Sequence, residues 1–280
     1  MDTNIFTNVD LVIFDFDGTL YEDEDHFTYF AEQLKKRLPE DVQSLFKTEY
    51  EKMVAGEHAV TIGKVYDAIH DHIVKIEPIH STVVNAWNWG GEELADELIQ
   101  RLYPQPITFD FDTMIAIGDG WWLPNVCAMH FGLQDTQTAY VETKEFMATD
   151  QFQLTKIPGL REALLQLKEK KNIVLLTNSQ ADDVQRLLQN LNLHEIFETT
   201  ITEAKKPQDT TKHFLELLQK FNIPAEKALS IGDNYINEIA PAMKMGMSAV
   251  YIDRYEVEYP EYQGRKVQSI SDLINEVNAL

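Results

Sequence analysis

The sequence predicts an α/β protein whose core is a doubly wound parallel sheet, interrupted by an inserted, mainly helical segment. Three observations carry that expectation. Short apolar runs, each ended by turn or polar residues, occur at Leu11 to Phe14, Ile173 to Leu176, Ala228 to Ile231 and Ala249 to Ile252, as strands buried on both faces of a parallel sheet require. From position 157 onward, stretches with apolar residues at helical spacing separate these runs, and helices alternating with strands imply right-handed crossovers. Between 21 and 153 the alternation stops. That span holds 9 basic and 24 acidic side chains and all four tryptophans, so it reads as an insertion. The expected partition is 1–20 with 154–280 as the core and 21–153 as the inserted domain.

The first strand runs into Asp15-Phe16-Asp17-Gly18-Thr19-Leu20. Two carboxylates two residues apart at a strand's carboxyl end stand where open α/β sheets bind ligands, and Gly18 permits a sharp turn. In the insertion, Phe27, Phe30, Leu34 and Leu38 predict a helix ending at Pro39. Val42, Leu45, Phe46, Tyr50 and Met53 predict a second, ending at Gly56. Ile62, Val65, Tyr66, Ile69 and Ile73 predict a third, and Leu94, Leu98, Ile99 and Leu102 a fourth, closed by Pro104. Ile115 and Ile117 before Gly118-Asp119-Gly120 read as a strand entering a turn, followed by helices over 126–132 and 136–147. His70 and His72, two apart on the predicted third helix, lack the spacing of a zinc pair. Trp87 and Trp89 share a face if that stretch is extended, and Trp121-Trp122 fall on a loop; they pack the insertion or offer a flat wall for a ring. Residues 109–113 copy part of the first acidic motif and 117–119 part of the last strand tip, but neither copy has the rest.

After Pro158-Gly159, Leu160, Leu164, Leu165 and Leu167 predict a helix, and the strand from Ile173 ends in Thr177-Asn178-Ser179. A helix through Val184, Leu187, Leu188 and Leu191 precedes a strand near 197–202, then Lys205-Lys206-Pro207. The helix with Phe214, Leu217, Leu218 and Phe221 leads to the strand from Ala228, which ends in Gly232-Asp233-Asn234. A helix from Ile236 to Met245 follows, although Pro241 would cost it one backbone bond. The strand from Ala249 and a closing helix through Leu273, Ile274 and Val277 complete the chain.

What the strand tips share is chemistry. Asp15, Asp17, Thr177, Asn178, Lys206 and Asp233 all fall just past carboxyl ends of strands, so one crevice can collect them. Asp15 and Asp233 can hold a Mg²⁺ that cancels repulsion between a carboxylate and a phosphoryl group, while Lys206 and the Thr177 hydroxyl, with Asn178 beside it, take phosphoryl oxygens. Asp15 would then displace the leaving oxygen to give an aspartyl phosphate, and Asp17 would protonate that oxygen and later take a proton from water.

Composition narrows the partners. Lys plus Arg number 24 against 46 Asp plus Glu, a net charge of −22, which disfavours nucleic acid polymers and anionic membrane surfaces. Cys127 is the single cysteine, so no internal disulfide forms and a reducing compartment fits. With Asp2 before any lysine and no apolar stretch near 18 residues, a cytoplasmic location is expected.

D-F-D-G-T-L at 15–20, L-L-T-N-S at 175–179, K-K-P at 205–207 and I-G-D-N-Y-I-N-E-I at 231–239 occur in this order. In these motifs the sequence resembles the haloacid dehalogenase superfamily of phosphohydrolases, over residues 9–20 and about 157–253. The resemblance implies Asp15 as nucleophile and Asp17 as acid/base. It also implies Thr177 and Lys206 as phosphoryl binders, and Mg²⁺ held by Asp15, Asp233 and the main-chain carbonyl of Asp17. It further implies that 21–153 is a mobile helical cap that selects substrate. Lys206 is favoured over Lys205 because relatives place this lysine directly before proline. Three departures stand out. Glu238 occupies the place of a second aspartate and would reach the metal through water. Glu22 replaces a frequent aspartate, and the run from Glu22 to Asp25 reads as a solvated hinge. Pro241 interrupts the last motif's helix. The expected activity is a phosphatase acting on a small phosphorylated metabolite, such as a nucleoside or sugar monophosphate. A phosphomutase, or a phosphonate hydrolase helped by Lys47, Lys52 or another cap lysine, is the alternative, and a non-catalytic phospho-ligand binder a second. Dehalogenation is disfavoured by Asp17.

Overall fold

Strand β1 (Leu11–Phe14) consists of four consecutive apolar residues, all buried, so it can occupy only the interior of a sheet. In this computed structural model, which describes residues 4–280, the chain divides into two compact units. One comprises Met1–Asp23 and Leu154–Leu280, the other Glu24–Gln153. The division falls three residues later than the motif edge suggested. The reason is local: Asp23 accepts bonds from the Thr155 backbone N–H and hydroxyl at 2.9 and 2.7 Å, and Arg254 bonds the Glu22 carbonyl at 2.7 Å. The acidic run is therefore tied down at Glu22 and Asp23.

The second unit opens with α1 (Asp25–Arg37) and α2 (Glu40–Val54). Each carries acids in its first turn and bases in its last, as the helix dipole favours. Next come β2 (Val65–Asp67), β3 (His72–Glu77), β4 (Thr82–Asn88), α3 (Asp96–Leu102), β5 (Met114–Ala116), α4 (Trp122–His130) and α5 (Gln137–Met147). The four strands form an antiparallel sheet in the order β4-β3-β2-β5. Its core gathers Phe30, Leu34, Phe46, Ile73, Ile115 and Cys127. All four tryptophans pack against that core, with Trp89 stacked on His130 at 3.7 Å.

The predicted third helix is wrong, because residues 65–77 form a β-hairpin. Asp67 Oδ1 accepts the N–H groups of Ile69 and His70, and Asp71 adopts φ +56°, which turns the chain so that Val65 pairs Val74 and Tyr66 pairs Ile73. Ile69, counted toward that helix, is exposed at the tip. His70 and His72 consequently sit on a turn and a strand: His70 Nδ1 lies 2.7 Å from Asp67 Oδ2, and His72 Nδ1 lies 3.1 Å from the Tyr103 hydroxyl. The predicted fourth helix starts only at Asp96, since the Leu94 N–H bonds Ala86 O beside β4. The copy at 109–113 is a capped turn in which Asp110 Oδ1 accepts three backbone N–H groups.

The first unit resumes with α6 (Leu160–Lys168), β6 (Asn172–Leu176), α7 (Ala181–Asn190), β7 (Thr199–Ile201), α8 (Thr210–Phe221) and β8 (Ala228–Gly232). It closes with α9 (Ala240–Lys244), β9 (Ser248–Ile252), β10 (Arg265–Val267) and α10 (Ile274–Asn278). With β1 they build a six-stranded sheet in the order β10-β9-β8-β1-β6-β7, every pair parallel. Strand β10 was missed: three residues with two charges give no apolar run. Pro241 finds its explanation here. Residues Tyr235–Ile239 form a π-turn, and α9 begins afresh with the proline in its first turn, where its missing N–H is harmless. The carbonyl of Asn237, which a regular helix would have paired with residue 241, accepts the Thr210 hydroxyl at 2.9 Å. Among the described residues no helix is long and apolar enough to cross a membrane.

Candidate active site

Because β1 lies between β6 and β8, the residues after these three strands emerge side by side. From β1 the chain moves outward through β6 and β7, then returns to β8 on the other flank, so a topological switch point falls between β1 and β8. Pairing continues past the end of β1, where the Asp15 N–H bonds Ile231 O at 2.9 Å.

At this edge the Lys206 ammonium lies 2.6 Å from Asp15 Oδ1 and 2.6 Å from Glu238 Oε1. All three groups are buried, and carboxylate oxygens of Asp15, Asp233 and Glu238 fall within 4.8 Å of one another. Glycine shapes the approach. Gly18 has φ +73°, and a Cβ there would overlap the Asp233 carboxylate; a Cβ on Gly232 would stand 2.8 Å from Glu238 Cγ. The Asn234 N–H donates to Glu238 Oε2 at 3.0 Å and fixes its other oxygen.

One ammonium faces two of the three acids. Burial pushes the Asp15 carboxyl above the usual range, against the pull of Lys206. Burial also pushes Glu238 up to about 8 despite the same lysine. For Lys206, burial acts downward, but the carboxylates of Asp15 and Glu238 outweigh it and raise the ammonium. Clustered hard oxygens with excess negative charge are the donor set a Mg²⁺-like cation takes, so these residues fit a divalent ion.

The second acid also raises the Asp15 carboxyl, but is itself bonded to two hydroxyls. Asp17 Oδ1 accepts the Tyr21 hydroxyl, and Asp17 Oδ2 accepts the Ser179 hydroxyl at 2.8 Å. Thr177 is buried at the tip of β6, its Oγ1 accepting the Ser179 N–H at 3.0 Å. Its backbone is tied to the end of β7 and the segment after it by Thr177 N to Ile201 O and Ala204 N to Thr177 O.

Of the residues expected from sequence, Asp15, Lys206 and Asp233 thus meet in one cluster, with Asp17 and Thr177 on the adjoining tips. Two placements differ from expectation. Asn178, expected at the phosphate, uses its side chain to clamp the Lys206 main chain: its Oδ1 accepts the Lys206 N–H at 2.7 Å and its Nδ2 donates to the Lys206 carbonyl at 3.0 Å. Glu238, expected at the outer edge of a metal site, lies directly among the acids, carried there by the π-turn. Lys205 is exposed, as expected. Sequence reading missed Tyr21 and Ser179. Their signal was positional, Tyr21 standing four residues after Asp17 and Ser179 ending the Thr-Asn-Ser tip.

The family model of the haloacid dehalogenase-like hydrolases matches residues 9–246. The glyceraldehyde 3-phosphate phosphatase of Pyrococcus furiosus is 27% identical over 131 residues, covering 43% of this chain and 54% of that protein. Its counterpart from Pyrococcus abyssi is 29% identical over 103 residues, 35% of this chain and 42% of that one. The chain thus spans about half the length of the curated relatives it matches. Among solved structures, the HAD-hydrolase YfnB of Bacillus subtilis, bound to magnesium, is similar with a TM-score of 0.52 at 14% identity, covering 97% of this chain and 100% of that one. A predicted phosphoglycolate phosphatase from Haemophilus somnus gives 0.51 at 15% identity, over 96% and 98% of the two chains. At these identities the structural likeness is one of fold.

Proposed function

The chain belongs to the haloacid dehalogenase-like hydrolases, and from that premise we propose that it is a Mg²⁺-dependent phosphatase acting on a small phosphate monoester through an aspartyl phosphate. The observation that carries this reading is the pairing of two unlike aspartates. Asp15 sits buried against Lys206 among Asp233 and Glu238, while Asp17 is bonded to two neutral hydroxyls.

Asp15, Asp233 and Glu238 would hold the ion, with the Asp17 main-chain carbonyl as the further family ligand. When bound, Mg²⁺ supplies positive charge against the carboxylate and the phosphoryl oxygens. The chain's own residues do the rest. Lys206 neutralises charge beside Asp15, and the Thr177 hydroxyl offers a donor to a phosphoryl oxygen. An Asp15 oxygen forms a bond to phosphorus as the bond to the ester oxygen breaks, and protonated Asp17 gives its proton to that departing oxygen. Asp17 then accepts a proton from water as the water oxygen attacks phosphorus. The bond to Asp15 breaks, releasing inorganic phosphate and restoring the carboxylate.

Both curated relatives act, by name, on a phosphorylated triose, which puts sugar phosphates first among substrates, ahead of nucleoside monophosphates. The two cap lysines named for the phosphonate route are exposed partners of glutamates. Lys47 is 60% exposed beside Glu51, and Lys52 is 46% exposed and paired with Glu49. A panel of sugar phosphates, nucleoside monophosphates and phospho-acids, assayed for phosphate release with Mg²⁺ and with EDTA, tests the proposal. Mg²⁺-dependent release from at least one ester is expected; tight binding of an ester with no release from any would favour a non-catalytic binder.

The metal also leaves a thermodynamic trace. A buried carboxyl whose folded pKa, about 8, exceeds its unfolded value near 4.5 contributes stability that is full below pH ~4.5 and lost as pH rises through ~8. Metal-free protein should therefore melt at falling temperature across that interval. Added Mg²⁺ should raise the melting temperature more at pH 8.5 than at pH 5.5, where protons compete for the same oxygens. Melting curves that ignore Mg²⁺ at both pH values would count against the ion.

A further inference from the structure

Asp17 must deliver a proton to one oxygen atom, yet a carboxyl group turns easily about its last bond, whose torsional preference is broad. Something has to decide which of its oxygens faces the ester. Resting on the phosphatase reading above, we propose that Tyr21 is the positioning residue of Asp17. Its hydroxyl holds Oδ1 as the idle oxygen, so that Oδ2 is the oxygen that exchanges the proton.

The local chain builds this contact. After Asp17 the backbone makes one tight turn, the N–H groups of Thr19 and Leu20 both bonding Phe16 O at 3.2 and 2.9 Å. That turn brings Tyr21 back alongside Asp17, where the two backbones form a parallel bridge. Tyr21 is 1% exposed, and its ring meets the Phe16 ring edge-on at 5.5 Å. A buried phenol on a rigid ring, locked at its base and along its side, is a fixed donor.

The two oxygens of Asp17 are not equivalent. Oδ2 is bonded by Ser179, whose own N–H bonds Thr177 Oγ1 at 3.0 Å, so Oδ2 is the oxygen linked through Ser179 to the phosphoryl-binding tip. Ser179 holds Oδ2 through a single freely turning hydroxyl, which can turn away when Oδ2 is protonated. When Asp17 is protonated on Oδ2, that hydroxyl gives way and the proton faces the ester oxygen; Tyr21 keeps its grip on Oδ1 throughout. The proton leaves Oδ2 for the departing oxygen in the first half of the reaction and returns to Oδ2 from water in the second.

The test compares two esters on Tyr21→Phe. An alkyl phosphate, whose leaving oxygen needs a proton, should lose about 10- to 100-fold in kcat with KM nearly unchanged, a fraction of what a positioned acid contributes. An aryl phosphate such as p-nitrophenyl phosphate, whose phenolate leaves without help, should lose less than threefold. The alkyl-to-aryl ratio is the readout, because it does not depend on how much of the variant is folded. In an Asp17→Asn background the same Tyr21→Phe change should leave the ratio within twofold, since Tyr21 acts through Asp17. Equal losses on both esters, or a further tenfold drop in the Asp17→Asn background, would overturn the assignment while leaving the phosphatase reading standing. Should Tyr21→Phe yield no folded protein, Tyr21→His, which retains a ring N–H donor, is compared with Asp17→Asn. An alkyl-to-aryl ratio closer to the parent's supports the proposal, and a ratio as low as that of Asp17→Asn overturns it. Failure of the parent protein to hydrolyse either ester would instead remove the phosphatase reading itself.

Discussion

Asp15→Asn is expected to lower phosphate release by at least about 10³-fold, because an amide cannot form the covalent phosphoryl bond and the later water attack then has no intermediate to act on. The exchange keeps the shape of the side chain, so no cavity opens under β1. It also removes one of the two acids bonded to Lys206, leaving the ammonium to Glu238 at 2.6 Å. Metal-free stability at neutral pH should therefore be unchanged or higher, and a dead enzyme with an intact melting curve separates chemistry from folding. Phosphate release and thermal melting, measured on the same preparation, check both halves. Turnover equal to that of the parent would sink the covalent route.

Lys206→Met should damage both stability and activity. Methionine fills much the same volume, but the ammonium is the counter-charge to two buried carboxylates. Removing one partner of a buried pair typically costs about 3–5 kcal/mol. Urea unfolding in EDTA should show a loss of that order at pH 8, and part of it should return when Mg²⁺ is added or when the pH is lowered enough to protonate Glu238. Activity at saturating Mg²⁺ should still fall about 10²-fold or more, because a donor aimed at the reacting charge is missing. A stability change below ~1 kcal/mol in EDTA would mean that Asp15 and Glu238 do not depend on this lysine.

How legible all this was in the sequence differs between the units. In the first, the apolar runs at 11–14, 173–176 and 228–231 read as interior strands, and the acids and hydroxyl that end them, with the lysine after β7, are set by the chemistry they border. For Asn178, position alone cannot say where the amide side chain points, and here it holds the Lys206 backbone. Glu238 stands among the acids rather than at their edge because the chain makes a π-turn where spacing predicts a regular helix. In the second unit, Val65, Tyr66, Ile69 and Ile73 fell at helical intervals only because a four-residue turn separates two short strands. The run of β-branched residues argued for strands, and Asp67 with Asp71 supplied the turn, but spacing spoke louder. Tyr21 escaped notice because nothing in its residue type points to a site; only the tight turn after Asp17 brings it there.

The place of β1 between β6 and β8 also bears on how the molecule is made. On the ribosome, Leu11–Phe14 emerges first, but neither neighbour exists until synthesis has passed Asn172. At about 5–20 residues per second that delay is roughly ten to thirty seconds. For that long the most apolar strand of the sheet is without its partners, and whatever shelters it in the nascent chain guards the future nucleophile as well.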